Sequence, residues 1–252
     1  MRESPTPEAT GTAPAAAVRH ALYYAPRPSS LLARLGSRWL GRDAASGAAL
    51  AQPDIPGLDA AGFAALTVSA RRYGLHATLK APVALAADET EAGFAAALDA
   101  FALTRARVAI PALELRRLGR FLALMPAGPV PPLDDLAAAV VKHFDRFRRP
   151  PAAEELARRR GAGLSAHEEA LLAAWGYPYV LDAFRFHITL SDGLDGPVAD
   201  VVEAAARRHF APVLGRPVVV DALAHFVEPA AGAPFRLARF VALGGPAART
   251  LA

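Results

Sequence analysis

The chain has 252 residues, which is enough for one large domain or two small lobes around a buried core. It contains no cysteine, which excludes disulfides and thiolate metal sites, and its formal net charge of +4 is modest. No uninterrupted apolar run of about 18 residues occurs, so we expect no membrane span. Residues 1–17 lack the continuous apolar core of a secretory signal. We therefore expect a cytoplasmic protein with a disordered tail over residues 1–17.

The first half of the chain alternates between strand and helix patterns. In order, these predict a strand near 19–25, an irregular segment to about 55, a helix near 59–71, a strand around His76, a helix near 89–104 and strands near 107–115 and 120–125. The irregular segment is rich in Pro, Ser and Gly and contains Trp39 and Arg42. Trp39 is expected to be buried.

The second half repeats the order of elements. It predicts a helix near 132–147, a helical excursion near 152–175, a strand around His187, a helix near 197–211 and strands near 216–227 and 234–243. Strand, helix, strand and strand therefore occur in the same order in both halves. The fold class is expected to be α+β, with two pseudo-symmetric lobes, each an antiparallel sheet with helices outside, that form a central groove.

We expect one bilobal domain over residues 18–252, with lobes at roughly 18–130 and 131–252. The segment 148–179 breaks the symmetry and is read as a helical insertion, either a packing helix that covers a sheet face or a mobile lid. Two arginine clusters lie at the start of this segment and within it and are either solvated surfaces or phosphate donors: Arg146, Arg148 and Arg149, and Arg158, Arg159 and Arg160.

The tetrapeptide His-x-Thr-Leu occurs twice, at His76–Leu79 and at His187–Leu190. Successive strand residues point to opposite faces, so each copy separates a polar from an apolar set. The polar faces carry His76, Thr78 and Lys80 in the first copy and Arg185, His187 and Thr189 in the second. Each face offers an imidazole that titrates near neutral pH, a hydroxyl donor and a fixed cation, which together suit an oxyanion.

Other hydrolytic chemistries lack their sequence patterns. No His-x-x-x-His spacing or cluster of carboxylates accompanies the two histidines, and no nucleophile elbow is visible. We therefore expect no metal and no cofactor.

The two motifs and their surroundings resemble the 2H (two-histidine) phosphoesterases, which carry two His-x-Thr/Ser motifs on strands of two pseudo-symmetric lobes. The similarity covers about residues 19–243. It is closest to the branch found with phosphonate-utilisation genes, on the segments Arg19–Pro26, Trp39–Asp43, Tyr73–Lys80 and Phe184–His187.

The resemblance implies a phosphodiesterase that opens a ribose cyclic phosphate without a metal, in phosphonate catabolism. His76 and His187 would act as general acid and base in either order, and Thr78 and Thr189 would bind the phosphate. Lys80 and Arg185 are further phosphate candidates. Tyr23, Tyr24 and Tyr73 are candidates for contacts with the ribose or with a histidine.

Alternatives remain within and outside catalysis. The substrate could be RNA with a 2′,3′-cyclic end or a 2′,5′ linkage, as for a phosphodiesterase or ligase, although no cluster of stacking aromatic residues favours RNA over a small phosphorylated sugar or nucleotide. The groove could instead bind a phosphorylated ligand as a sensor without turnover. The sequence leaves the oligomeric state open. If one phosphate meets both motifs, Thr78 and Thr189 must lie near each other in the folded chain.

Overall fold

A computed structural model describes residues 18–161 and 163–246, so the tail expected over residues 1–17 lies outside the described residues. The helices are α1 (Leu31–Leu40), α2 (Ala60–Ala65), α3 (Val68–Tyr73), α4 (Glu91–Leu103), α5 (Pro131–Phe144), α6 (Ala153–Arg160), α7 (Ala166–Trp175) and α8 (Gly196–Phe210). The strands are β1 (Arg19–Tyr24), β2 (Ala77–Val83), β3 (Val108–Ile110), β4 (Leu113–Leu118), β5 (Phe121–Pro126), β6 (Ile188–Thr189), β7 (Val218–Val220), β8 (Ala222–Glu228) and β9 (Arg236–Ala242). Short 3₁₀ helices follow α5 at Asp145–Phe147 and precede β6 at Leu181–Ala183.

The described strands form three antiparallel sheets. One has four strands in the order β2-β1-β8-β9, one has three in the order β4-β5-β6, and β3 pairs with β7. The structure thus confirms the α+β class with antiparallel sheets and helices. The boundary expected near residue 130 does not separate these sheets, because each of them combines strands from before and after it.

The two faces of the four-stranded sheet have different surroundings. Leu22 and Tyr24 on β1 belong to the main hydrophobic core, against which α4 and α5 pack. Ala21 and Tyr23 point to the opposite face, where a smaller cluster contains Phe226 and Phe235. The alternation of β1 therefore places Tyr23 on the less covered face of the sheet.

The segment read as irregular to about residue 55 contains α1, so that prediction was wrong over Leu31–Leu40. Ser30 caps the first turn, since its hydroxyl accepts a hydrogen bond from the amide of Ala33, and Gly41 ends the helix in the left-handed conformation. The buried face of α1 includes Leu32, Trp39 and Leu40. Ser30 and Gly41 supply the caps of the helix, whereas Gly36 and Ser37 lie within it.

Several elements predicted as continuous are divided. The strand expected over 107–115 is broken at Pro111, which cannot donate a ladder hydrogen bond. The strand expected over 216–227 is interrupted at Asp221, whose carboxylate accepts hydrogen bonds from Arg27. The helix expected over 59–71 becomes α2 and α3, and the excursion expected over 152–175 becomes α6 and α7.

The excursion contains one packed helix and one exposed helix. Leu171 and Leu172 of α7 are buried, and Leu171 packs with Val141 and Val180. By contrast, α6 has no buried residue. Among the helices of the described residues, none is long and apolar enough to cross a membrane.

Candidate functional site

The first His-x-Thr motif lies at the start of β2, an edge strand of the four-stranded sheet. His76 directly precedes the strand, and Thr78 pairs with Tyr23 of the neighbouring strand. The imidazole of His76 lies against the buried ring of Tyr23, with 4.0 Å between ring centroids. Tyr23 therefore supports His76 from the sheet side.

The backbone before His76 fixes the orientation of its ring. The carbonyl of Gly74 lies 2.9 Å from Nδ1 of His76, and a carbonyl can only accept, so Nδ1 carries the proton. In the neutral ring Nε2 is then the basic nitrogen, and it lies 3.2 Å from the hydroxyl oxygen of Thr78. Gly74 adopts φ +78° and ψ 177°, a conformation that is essentially restricted to glycine.

The second motif reproduces the hydrogen bond of Nδ1 to a backbone carbonyl, on an edge strand of the three-stranded sheet. Nδ1 of His187 donates a hydrogen bond to the carbonyl of Arg185 at 2.7 Å, again two residues upstream. The strand is shorter than predicted, because only Ile188 and Thr189 pair with β5, so His187 itself lies just before it. Both motifs thus hold the histidine by the same bond and leave Nε2 as the basic nitrogen.

The two edge strands bring the motifs together. Strands β2 and β6 lie against each other, and a charge on His187 is close enough to affect the pKa of His76. Thr78 and Thr189 therefore belong to adjoining strands of two sheets, and both side chains are partly exposed.

Both imidazoles favour their neutral forms. Burial lowers the pKa of His76 to about 4, the hydrogen bond to Gly74 opposes this, and a positive charge on His187 lowers it further. Burial also lowers the pKa of His187, against the opposing effect of its hydrogen bond to Arg185. At neutral pH the unliganded pair is therefore uncharged, and a proton on one ring disfavours a proton on the other.

Lys80 does not share the face of His76 and Thr78, contrary to the simple alternation expected for β2. Its register partner is Leu22, whereas Thr78 pairs with Tyr23, so an irregularity at Leu79 separates the two pairs. Such a bulge turns the following side chain to the other face.

The ammonium group of Lys80 is buried on that other side of the sheet. It donates hydrogen bonds to Asp145 at 3.3 Å and to the carbonyl of Val141 at 3.4 Å. Its charge is thus compensated away from the two histidines.

The remaining predicted residues are spread around the site. Tyr73 is partly buried beside His76, with 5.8 Å between ring centroids. Tyr24 lies in the main core against Phe186, on the opposite face of β1 from Tyr23. Arg185 has an exposed side chain, and its carbonyl holds His187. Tyr73 and Arg185 are therefore near the motifs, while Tyr24 contributes to packing.

The segment around α1 supports both motifs. The indole Nε1 of buried Trp39 donates a hydrogen bond to the carbonyl of Leu190, at the end of the second motif, at 2.8 Å. The guanidinium of Arg42 donates to the carbonyls of Arg71 and Arg72, just before the first motif, at 3.3 Å each. The sequence indicated that Trp39 is buried, but no local pattern identifies its long-range partner.

Sequence reasoning also missed two arginines near the first motif, Arg19 and Arg72. Both donate hydrogen bonds to the fully buried carboxylate of Glu228. A buried Glu in a strand is the signal that could have indicated such partners, since a buried carboxylate needs them.

A cavity of about 200 Å³ opens beside the site without including either motif histidine. Its lining includes Arg34, Asp43, Leu75 and Phe226. Within the described residues no group of three or more His, Asp or Glu side chains is arranged to hold a metal ion.

Comparisons with known proteins place the chain among relatives. Residues 78–236 match the sequence profile of a family described as "Protein of unknown function (DUF1045)". The chain is 42% identical over 221 residues to a protein named ribose 1,5-bisphosphate phosphokinase PhnN from Janthinobacterium sp. (strain Marseille), with 86% of this chain and 49% of that protein covered. It is 41% identical over 224 residues to a protein of the same name from Laribacter hongkongensis (strain HLHK9), with 89% and 52% covered. The chain thus spans about half the length of these curated relatives.

Proposed function

We propose that this chain, which belongs to the DUF1045 family, is a metal-independent phosphodiesterase that opens a ribose cyclic phosphate. The main support for this proposal is that the two motifs hold their histidines in the same way. In each, Nδ1 of the histidine donates to a carbonyl two residues upstream, and the two motifs lie on adjoining edge strands. Two oriented imidazoles can supply the general acid and the general base for the hydrolysis of a phosphodiester.

The reaction divides the proton transfers between the histidines. One neutral imidazole accepts a proton from water as the water oxygen bonds to phosphorus, and the other, protonated, donates a proton to the ester oxygen as its bond to phosphorus breaks. Each transfer contributes about 10²–10⁴-fold in rate. Thr78 and Thr189 donate hydrogen bonds to the non-bridging oxygens, where negative charge accumulates.

The electrostatics of His76 and His187 favour a state in which only one of the two rings carries an extra proton. Burial keeps both rings neutral in the free protein, and a proton on His187 disfavours one on His76. An anionic phosphodiester in the groove raises both pKa values, so that one ring, and not both, becomes protonated.

We further propose that the four-stranded and three-stranded sheets are the cores of two pseudo-symmetric lobes, with the motif strands β2 and β6 facing a groove between them. This arrangement resembles the 2H phosphoesterases. It assigns the lobes to sheets and not to contiguous halves of the chain, within one domain over residues 18–252.

The names of the relatives support a ribose phosphate as substrate, and the resemblance to the branch found with phosphonate-utilisation genes supports a role in phosphonate metabolism. Their kinase activity is not carried over, because this chain covers about half of each relative. The phosphate-binding pattern Gly-x-x-x-x-Gly-Lys-Ser/Thr is also absent from the sequence, in which Leu79 precedes Lys80 and Val141 precedes Lys142. RNA and a non-catalytic sensor remain the alternatives that the assay must distinguish.

The test is turnover of a substrate panel in excess chelator. The panel contains ribose 1,2-cyclic phosphate 5-phosphate, 2′,3′-cyclic nucleotides and 2′,5′-linked RNA, each with the wild type and with the variants His76→Ala and His187→Ala. His167→Ala is the matched control, because His167 is exposed and pairs with Asp182.

We expect chelator-resistant opening of the ribose cyclic phosphate, a loss of at least about 100-fold in either motif variant and no loss in the control. Preferred turnover of RNA would replace the substrate assignment. Tight binding without turnover of any substrate would favour the sensor, and activity that survives both motif substitutions would refute the two-histidine mechanism.

A further inference from the structure

A group of three arginines lies beside the first motif: Arg19 at the start of β1, Arg72 at the end of α3 and Arg159 near the end of α6. We call them the arginine cluster. Their side chains are partly buried, with exposed fractions of 22%, 30% and 16%.

Arg19 and Arg72 contact the same aromatic ring and the same carboxylate. The guanidinium carbons of Arg19 and Arg72 lie 5.7 and 5.8 Å from the ring centroid of buried Phe235. Both guanidinium groups bind Glu228, which also accepts a hydrogen bond from the amide of Gly232 at 3.0 Å. Phe235 and Glu228 hold the two guanidinium groups side by side.

Their remaining donors are not all used. Among the described residues, hydrogen bonds engage Nε of Arg19 and the Nε and Nη2 of Arg72. The Nη groups of Arg19 and Nη1 of Arg72 therefore remain available to an oxygen-rich ligand.

Aromatic contacts connect Phe235 with His76. The ring of Tyr73 stacks on Phe235 with 4.8 Å between centroids and lies 5.8 Å from the ring of His76. Arg19 shares its face of β1 with Tyr23, whose ring contacts His76. The arginine cluster and the first motif are thus two ends of one surface.

Helix α6 carries the third arginine of the cluster. The guanidinium of Arg159 lies 5.0 Å from the ring centroid of Tyr177 and pairs with Glu155 one turn earlier. Its Nε is buried and has no hydrogen-bond partner among the described residues.

Electrostatic effects couple α6 to the surroundings of the other two arginines. Burial is the largest influence on the pKa of Arg19 and lowers it, but Glu228 outweighs burial and Glu155 of α6 adds to the increase. Burial raises the pKa of Tyr177 to about 12, Arg159 opposes this increase, and Tyr73 adds to it.

The charges of this group do not cancel. Three guanidinium groups face two carboxylates, Glu228 and Glu155, which leaves an excess of one positive charge next to unused donors. A phosphate monoester matches such a site, because its three oxygens accept paired hydrogen bonds from arginine.

We propose that the arginine cluster is a second anion subsite, which binds a phosphate monoester carried by the same substrate that the two histidines open. This inference rests on the proposed function and narrows it to a ribose cyclic phosphate with a second, terminal phosphate. The terminal phosphate anchors the sugar so that the cyclic phosphate reaches the two motifs.

The first experiment measures binding without catalysis. Calorimetry compares ribose 5-phosphate with unphosphorylated ribose, on the full chain and on the variants Arg159→Gln and Arg72→Gln. Arg159 lies on a helix with no buried residue, so its variant keeps the test valid if Arg72→Gln fails to fold. Arg207→Gln is the matched control, since Arg207 is an exposed arginine that pairs with Glu203 four residues earlier.

We expect the wild type to bind ribose 5-phosphate and not ribose, with affinity about tenfold or more weaker in Arg159→Gln and unchanged in the control. Equal affinity in the wild type and in both cluster variants would refute the subsite.

The second experiment uses the ratio of kcat/KM for ribose 1,2-cyclic phosphate with and without its 5-phosphate. A purely structural role would lower both values together, whereas the subsite predicts that the ratio falls about tenfold or more in Arg159→Gln. An unchanged ratio would count against the proposal. If no cyclic phosphate is opened but ribose 5-phosphate binding still depends on Arg159, the proposed function fails and the anion subsite stands.

Discussion

Gly74 controls the orientation of His76, and its replacement by alanine should show this. Its φ of +78° and ψ of 177° are open to glycine and costly for any residue with a Cβ. An alanine Cβ at this position would also lie 2.5 Å from the Cβ of Ala44, which is closer than two carbon atoms can approach. The carbonyl that holds Nδ1 of His76 would therefore move.

The expected cost has two parts. Forcing alanine into this backbone conformation costs about 1–3 kcal/mol, and crowding against Ala44 costs about 1–3 kcal/mol more unless the loop yields. We expect Gly74→Ala to lower the free energy of unfolding by about 2–6 kcal/mol in total. A displaced His76 should also lower kcat by about 10–100-fold, because a shift of 1 Å can cost a factor of about 10².

The assay is urea-induced unfolding together with turnover in the same buffer. Gly47→Ala is the matched control, since Gly47 has nearly the same φ of +77° but no neighbouring atom within 4 Å of the added Cβ. The double variant Gly74→Ala/Ala44→Gly removes the atom in the way. It should recover the crowding part of the cost but not the backbone part.

Two outcomes would contradict this reasoning. If Gly74→Ala and Gly47→Ala lose the same stability, the contact with Ala44 has no energetic consequence. If Gly74→Ala is destabilised but keeps full turnover, the hydrogen bond from His76 to the Gly74 carbonyl does not orient the imidazole.

Two further substitutions test buried polar contacts. Trp39→Phe removes the donor to the Leu190 carbonyl and leaves a buried acceptor unpaired. The free energy of unfolding in urea should therefore fall by about 1–3 kcal/mol, and kcat should fall as well. Unchanged values of both would show that Trp39 acts through its ring alone. The second test concerns His225, whose Nε2 lies 3.0 Å from Nδ1 of His20 and whose pKa is lowered to about 4, chiefly by burial. Because the unfolded chain then binds the proton more strongly, stability should fall as the pH drops from about 6.5 toward 4, by at most about 3 kcal/mol. His225→Gln should lose less stability than the wild type over this range and His167→Gln should lose as much, and parallel curves for all three proteins would refute the assignment.

The motif positions could be predicted because strand alternation is a local property. Thr78 follows His76 by two residues, so both share a face wherever β2 pairs, and the apolar Ala77 and Leu79 specify which face is buried. The α+β class followed in the same way from the spacing of helix and strand patterns. These inferences needed no knowledge of which strands are neighbours.

Lys80 shows where alternation fails. The irregular register between β1 and β2 depends on how the two strands pair, and no residue of β2 alone signals it. The polar partners of Lys80 lie on α5 and the following 3₁₀ helix, which are distant in sequence. The sequence of β2 therefore could not predict these hydrogen bonds. The prediction that Lys80 shares the face of His76 was therefore wrong.

The arginine cluster was hidden for a related reason. Arg19, Arg72 and Arg159 come from three different elements, and each belongs to an arginine-rich chain in which 28 residues are Lys or Arg. The sequence offered the run 158–160, which contains Arg159, as a possible phosphate donor, but composition gave no reason to select Arg19 or Arg72. Only the buried carboxylate of Glu228 and the shared contact with Phe235 distinguish Arg19 and Arg72 from arginines on the surface.

The relative placement of the two motifs is set by residues outside both of them. Trp39 holds the end of the second motif, and Arg42, three residues later, holds the backbone that precedes the first. Each sheet also combines strands from both halves of the chain, so neither motif lies on a sheet that one half forms alone. A two-histidine site needs its imidazoles fixed relative to each other as well as to the phosphate. The segment from Trp39 to Arg42 supplies that fixed relation, which gives a physical reason for a buried indole and guanidinium far from the motifs in sequence.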